Sequence, residues 1–225
     1  MNEFLKRKPL RSGAVLGGAA ACVALVYAVV RYNIFNGVAW SHLPLFVGNK
    51  AVSFASIMLI AGALVVGMRR REKDRTRSST LAKTLGMAGF CLILMHGVMS
   101  TILISPTYYP NLYDEAKLNF VGELSIFLGV GSLFLFLPPM ATSFSFIEQW
   151  LEQNGRKKAR GVVYVALAFV GGHVLVMGLE GWFKPAEWPG GLPSISMLSF
   201  VIILVPLALK VVLVRSRRRR ENSPV

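Results

Sequence analysis

Six stretches of this chain are so apolar and so long that crossing a bilayer is the fold they fit. They cover residues 14–30, 47–68, 81–104, 120–141, 161–183 and 197–214. A spanning helix needs about 20 mostly apolar residues, because the hydrocarbon core is about 30 Å thick. Inside that core every backbone N–H and C=O must be bonded within the protein, which selects helices. The expected fold is therefore all-α: a polytopic membrane bundle of six transmembrane helices. It divides into a basic N-terminal segment (1–13), the transmembrane domain (14–214) and a basic tail (215–225). The spans use most of the 225 residues, so no soluble catalytic or nucleotide-binding module is expected beside them. Lys6, Arg7 and Lys8 precede the first stretch as they would in a signal peptide. No clear small-residue cleavage site follows, so the stretch reads as a retained span.

The charge supports the same organisation. The chain is 54% hydrophobic, only 16% charged, and carries a formal net charge of +14. In a soluble protein such a balance would suggest nucleic acid. Here 20 of the 25 basic residues fall on one side of a six-span arrangement. They are Lys6, Arg7, Lys8 and Arg11; Arg69, Arg70, Arg71, Lys73, Arg75, Arg77 and Lys83; Arg156, Lys157, Lys158 and Arg160; and Arg215 with Arg217 to Arg220. The other side holds Asp114, Glu115 and Glu187. The positive-inside rule then places both termini in the cytoplasm of a multi-pass plasma- or inner-membrane protein. The basic residues would meet anionic lipid headgroups, and no nucleic-acid partner is expected.

The connections are short. Residues 33–46 form an expected outer loop with Trp40 and His42, the latter read as a surface residue. The next outer loop, SPTYYPNLYDEAKLN, carries Tyr108 and Tyr109, suited to the headgroup level. SFSFIEQWLEQNGRKKARG reads as a short amphipathic helix, with Phe146, Trp150 and Leu151 on the membrane and Gly155 as its stop. The last outer loop, KPAEWPGGLPS, should be irregular. Gly13 with Gly17 and Gly86 with Gly89 have the spacing of close helix packing. Pro138 and Pro139 should end or kink span four. Cys22 and Cys91 fall inside spans, where packing is their expected role.

Two residues stand out against this apolar background. LGMAGFCLILMHGVMS places His96 inside span three, and His173 lies inside span five. His96 is 13 residues beyond Lys83, and His173 is 13 residues beyond Arg160. At 1.5 Å per residue both imidazoles sit about 20 Å from the cytoplasmic edge, on parallel helices. Polar groups at that depth usually mark a function or a cavity. A neutral imidazole offers one nitrogen to a metal while the other N–H needs a partner. Two such rings on facing helices can hold one haem iron axially, and Gly97, Gly171 and Gly172 would admit a flat macrocycle. The structural alternative is that each histidine simply hydrogen-bonds between helices.

LAKTLGMAGFCLILMHG (81–97) resembles the third span of the ferric reductase-like transmembrane domain family. RGVVYVALAFVGGHVLVMGLEGWF (160–183) resembles its fifth span, and VGNKAVSFASIMLIAGALVVG (47–67) its second. The similar core covers about residues 47–183. The resemblance implies that His96 and His173 are the axial ligands of an outer b-type haem. Many members carry a second haem nearer the cytoplasm, on a histidine 13 or 14 residues earlier on each span. This chain has Lys83 and Arg160 there, beside Ala82 and Ala159, so one haem is expected rather than two. The flavin and NAD(P)H modules of the larger reductases are not expected either, and no catalytic side chain is identified.

A bis-His haem has no open coordination position, and one-electron transfer is its natural task. The leading expectation is an oxidoreductase or electron-transfer subunit. Membrane quinol, or a flavin on a partner flavoprotein, would feed it. An outer-face acceptor protein or a ferric chelate would drain it. Tyr108, Tyr109, Lys117 and Lys184 are available to haem propionates but read first as interfacial anchors. Glu123 and Glu180 read first as carboxylates reaching headgroup water, and Lys210 as a snorkelling lysine. The alternative is a cofactor-free polytopic membrane protein, a small transporter or an assembly factor, in which both histidines are structural.

Overall fold

The computed structural model describes residues 2–68, 75–151 and 153–221. Arg69, Arg70, Arg71 and Lys73 of the basic set lie outside the described residues, as do the side chains of Lys6, Arg7, Lys8, Arg75, Arg77, Arg156, Arg160 and Arg217 to Arg220. Among the described residues the α-helices are α1 (Asn2–Ala28), α2 (Gly48–Met68), α3 (Arg75–Leu103), α4 (Phe120–Ala141), α5 (Ser145–Trp150), α6 (Gln153–Trp182) and α7 (Ile195–Glu221). All but α5 contain or belong to a stretch long and apolar enough to cross a membrane, which gives six spans. The chain is thus a multi-pass helical bundle. Its outer surface is what lipid requires: Val23 on α1, Val98 on α3, Phe127 and Phe134 on α4 and Val212 on α7 are all exposed. In water such a surface would drive association, whereas in a bilayer it is the normal solvent-facing side.

The span closest to expectation is α4, whose limits coincide with the apolar stretch 120–141. Its start is set by Asn119, whose side-chain oxygen accepts a hydrogen bond from the Gly122 amide at 2.9 Å. Glu123 in the first turn complements the helix dipole. Pro138 and Pro139 lie inside its last turn, and the helix ends three residues later as Thr142 bonds back to the Pro139 carbonyl at 2.7 Å. Elsewhere the helices run on beyond the apolar stretches. Residues 33–46 are less of a loop than expected. A π-helical turn, Val29–Phe35, extends α1, and a second, Leu43–Val47, leads into α2. Gly155 does not stop a helix. It lies inside α6, while the short amphipathic helix ends at Trp150, leaving Phe146 and Trp150 exposed. The connection after α6 is two 3₁₀ turns, Pro185–Glu187 and Pro189–Gly191. Gly190 and Gly191 have φ of 60° and 68°, a region only glycine enters at little cost.

Helices α2, α3, α4, α6 and α7 form a ring in which each packs on its neighbours, α3 and α4 most lightly. Helix α1 lies outside the ring against α2 and α3. Small residues set the tight contacts. A Cβ on Gly13 would stand 2.7 Å from the Thr84 methyl, and one on Gly89 would stand 2.7 Å from Ile60 Cγ1 and 3.1 Å from the Ser56 carbonyl. Gly17, by contrast, faces open space. The core joins Ile57 and Ile60 of α2, Phe90 of α3, Phe136 of α4, Leu167 of α6 and Ile203 of α7. Cys22 and Cys91 do not pack in it: both thiols are free and exposed on the bundle's outer surface.

Candidate functional site

The two histidines lie on α3 and α6, helices that face one another in the ring without packing closely. Their parallel course is visible at the basic end. There the N-terminal halves of α3 (Lys83, Gly86) and α6 (Lys157, Gly161) border one cavity with the C-terminal halves of α2, α4 and α7. His96 and His173 rise 13 and 12 residues above Lys83 and Gly161, about 20 Å along each helix. Neither ring is fully enclosed by protein atoms.

Each imidazole is held from its own side of the ring. Asn49, buried at the start of α2, places its Oδ1 2.7 Å from His96 Nδ1. The same amide donates through Nδ2 to the Ser100 hydroxyl at 3.1 Å, leaving Oδ1 toward the imidazole as its acceptor. His96 Nδ1–H is therefore the donor. On the other side, His173 Nδ1 lies 2.8 Å from the Ser125 carbonyl oxygen on α4, an atom that only accepts. The Ser125 hydroxyl is 3.1 Å from the same nitrogen. Gly129, one turn along α4, permits this approach: a Cβ there would stand 3.2 Å from His173 Nδ1. Both rings thus carry their proton on Nδ1 and keep the Nε2 lone pair for a ligand. A metal-binding histidine is oriented in this way by its outer partner.

The glycines beside the histidines divide in role. Gly97 opens on space, as a bulky neighbour would need. Gly172 packs against Leu128, and Gly171 lies against Ile203 and Phe200, so both serve helix contact. No group of three or more His, Cys, Asp or Glu that could hold a bare metal ion is found among the described residues. Two imidazoles alone make a poor site for a bare ion. They would suit iron that a macrocycle already holds. On the donor set and the Nδ1 partners, the residues present fit one bis-His haem.

Beyond the histidine level lies an aromatic cluster. Phe46 stacks on Tyr108 at 5.6 Å and meets Tyr109 at 6.0 Å and Tyr32 at 6.2 Å. His42 is part of this cluster rather than an isolated surface residue: its ring meets Tyr108 edge-on at 5.7 Å, with the phenol oxygen 3.4 Å from Nδ1. Glu123 and Glu180 are exposed, and Glu180 pairs with Lys184 at 3.2 Å. Lys117 is exposed on a two-stranded hairpin formed by β1 (Tyr113–Asp114) and β2 (Lys117–Leu118).

The basic end holds a cavity of about 600 Å³. Lys83, Lys157, Lys210 and Tyr164 contribute its polar lining, and Ala82 borders it in place of a second histidine. Lys210 is turned onto the Tyr164 ring, 5.1 Å from its centroid, so it is a cavity residue as well as an interfacial one.

Sequence reasoning overlooked Asn49, Ser100, Ser125 and Gly129. Ser100 follows His96 by one helical turn, and Ser125 and Gly129 are one turn apart, so those spacings were visible. The Asn–Lys pair at the head of span two is the clearest polar signal in that span. Compared with protein-family models and with curated proteins, the chain matches none.

Proposed function

We propose that this chain is a membrane-embedded b-type haem protein that transfers single electrons, the membrane subunit of a ferric reductase-like oxidoreductase. The observation that carries the reading is the matched pair of imidazoles, each donating its Nδ1–H to a fixed acceptor and presenting Nε2. His96 and His173 would hold the haem iron. Asn49 and the Ser125 carbonyl orient the two rings and raise their basicity. The bound group supplies reversible one-electron chemistry, and the surrounding apolar residues keep water from it. The sequence resemblance to the ferric reductase-like family supports the same assignment, with one haem rather than two. A quinol or a partner flavoprotein is the donor in this reading. A protein or ferric chelate at the face opposite the basic end is the acceptor, and the basic end with both termini is cytoplasmic.

The test is a visible spectrum of the purified protein, oxidised and then dithionite-reduced, after expression with ample haem. Sharp reduced α and β bands with a shifted Soret peak, and a pyridine assay giving one haem per chain, are expected. A featureless spectrum would overturn the reading and leave a cofactor-free membrane protein whose histidines bind helices together.

A further inference from the structure

Lys50 is a cation inside a membrane-crossing stretch, Trp40–Met68, and it follows directly on Asn49, the residue that holds His96. Its ammonium lies 4.7 Å from the centroid of Tyr109 and 5.4 Å from that of Phe46, so it is turned into the aromatic cluster. Among the described residues no carboxylate lies within ion-pair distance of it; the pair found there joins Lys184 and Glu180. An ammonium at such a place is costly unless an anion compensates it. Ring faces soften that cost without neutralising the charge.

We infer that the missing anion comes with the cofactor: Lys50 is the positioning residue for a haem propionate. This rests on the haem reading above. A b-type haem carries two ionised carboxylates, its only peripheral anions. Lys50 is the cation next to the residue that holds His96, whereas Arg31 is bonded to the Leu192 carbonyl, Lys117 and Lys184 are exposed, and Lys184 already has a carboxylate. The charge also bears on the iron: a nearby cation favours the reduced state, which carries one positive charge fewer.

The full chain and its Lys50→Gln and Lys50→Arg variants would be purified with haem. Three quantities are compared: haem per chain after extended washing, midpoint potential, and the propionate bending bands in resonance Raman spectra. The Gln variant is expected to lose haem about tenfold faster, as when other groups that support a bound cofactor are removed. Its potential should move to more negative values and its propionate bands should shift, while Arg restores all three. Wild-type chain reconstituted with haem dimethyl ester, which lacks the carboxylates, should retain its cofactor as poorly as the Gln variant retains haem. That arm holds even if the Gln variant does not fold. Unchanged retention, potential and bands in the Gln variant, or equal retention of haem and its ester by wild type, would overturn the assignment while leaving the bis-His reading intact. A wild-type chain without haem would overturn both.

Discussion

The two levels of this bundle use its helices in opposite ways. At the histidine level, the side chains that hold the imidazoles are few, short and fixed. Asn49 meets His96 and Ser100, and Ser125 meets His173, by bonds of 2.7 to 3.1 Å. At the basic end the helices leave a cavity of about 600 Å³, lined by lysines with long, adaptable stems. Fixed short groups suit a rigid ligand bound in one orientation. Flexible cations suit an interface with headgroups and water. The difference teaches that depth, not polarity alone, separates a built site from a solvated edge.

The comparison can be broken most directly at the ligands. His96→Ala or His173→Ala is expected to abolish the low-spin haem spectrum, whereas Lys83→Ala at the basic end leaves it unchanged. The reverse pattern would place the cofactor in the lysine-lined cavity. A smaller effect is expected one shell out. Asn49→Leu removes the acceptor from His96 and leaves the ring free to turn, which should weaken haem retention about ten- to a hundredfold. Measured by haem transfer to a scavenger protein, an unchanged rate would show that Asn49 only packs. The smallest effect sharpens the link between packing and site. Gly89→Ala places a methyl group against Ile60 and Ser56. It should cost about 1–3 kcal/mol of stability by overpacking, read as a lower unfolding midpoint in detergent. It should also loosen haem, because the same α2–α3 contact brings Asn49 to His96.

Much of the fold was legible because the bilayer leaves so few options. Apolar length alone located six spans, and α4 begins and ends where the stretch 120–141 does. What failed were the ends. Gly155 was read by its usual role as a helix stop, yet α6 runs through it. A glycine stops a helix only where the chain also turns. Residues 33–46 looked like a loop, but wide helical turns carry α1 past the stretch's end and bring the chain back into α2. Of the site, the histidines and their common depth could be read by counting residues. Their partners could not, because Asn49 and Ser125 lie about 48 residues away on other helices. Cys22 and Cys91 show the limit of hydropathy: it places a residue inside the membrane but does not say whether it faces protein or lipid.

The hydrogen bonds to the two imidazoles never cross the bundle: one is made between α2 and α3, the other between α4 and α6. This has a consequence for how the protein is born. The chain emerges N-terminus first, and the arm bearing His96 is complete at Leu103, about 70 residues before His173 is synthesised. At 5–20 residues per second that is a wait of about 4–14 s. Each arm finishes its own imidazole without the other, so the second arrives ready-made beside the first. Under the proposed haem assignment, the group between the two rings would be the last piece added, a rivet between halves that were each assembled on their own.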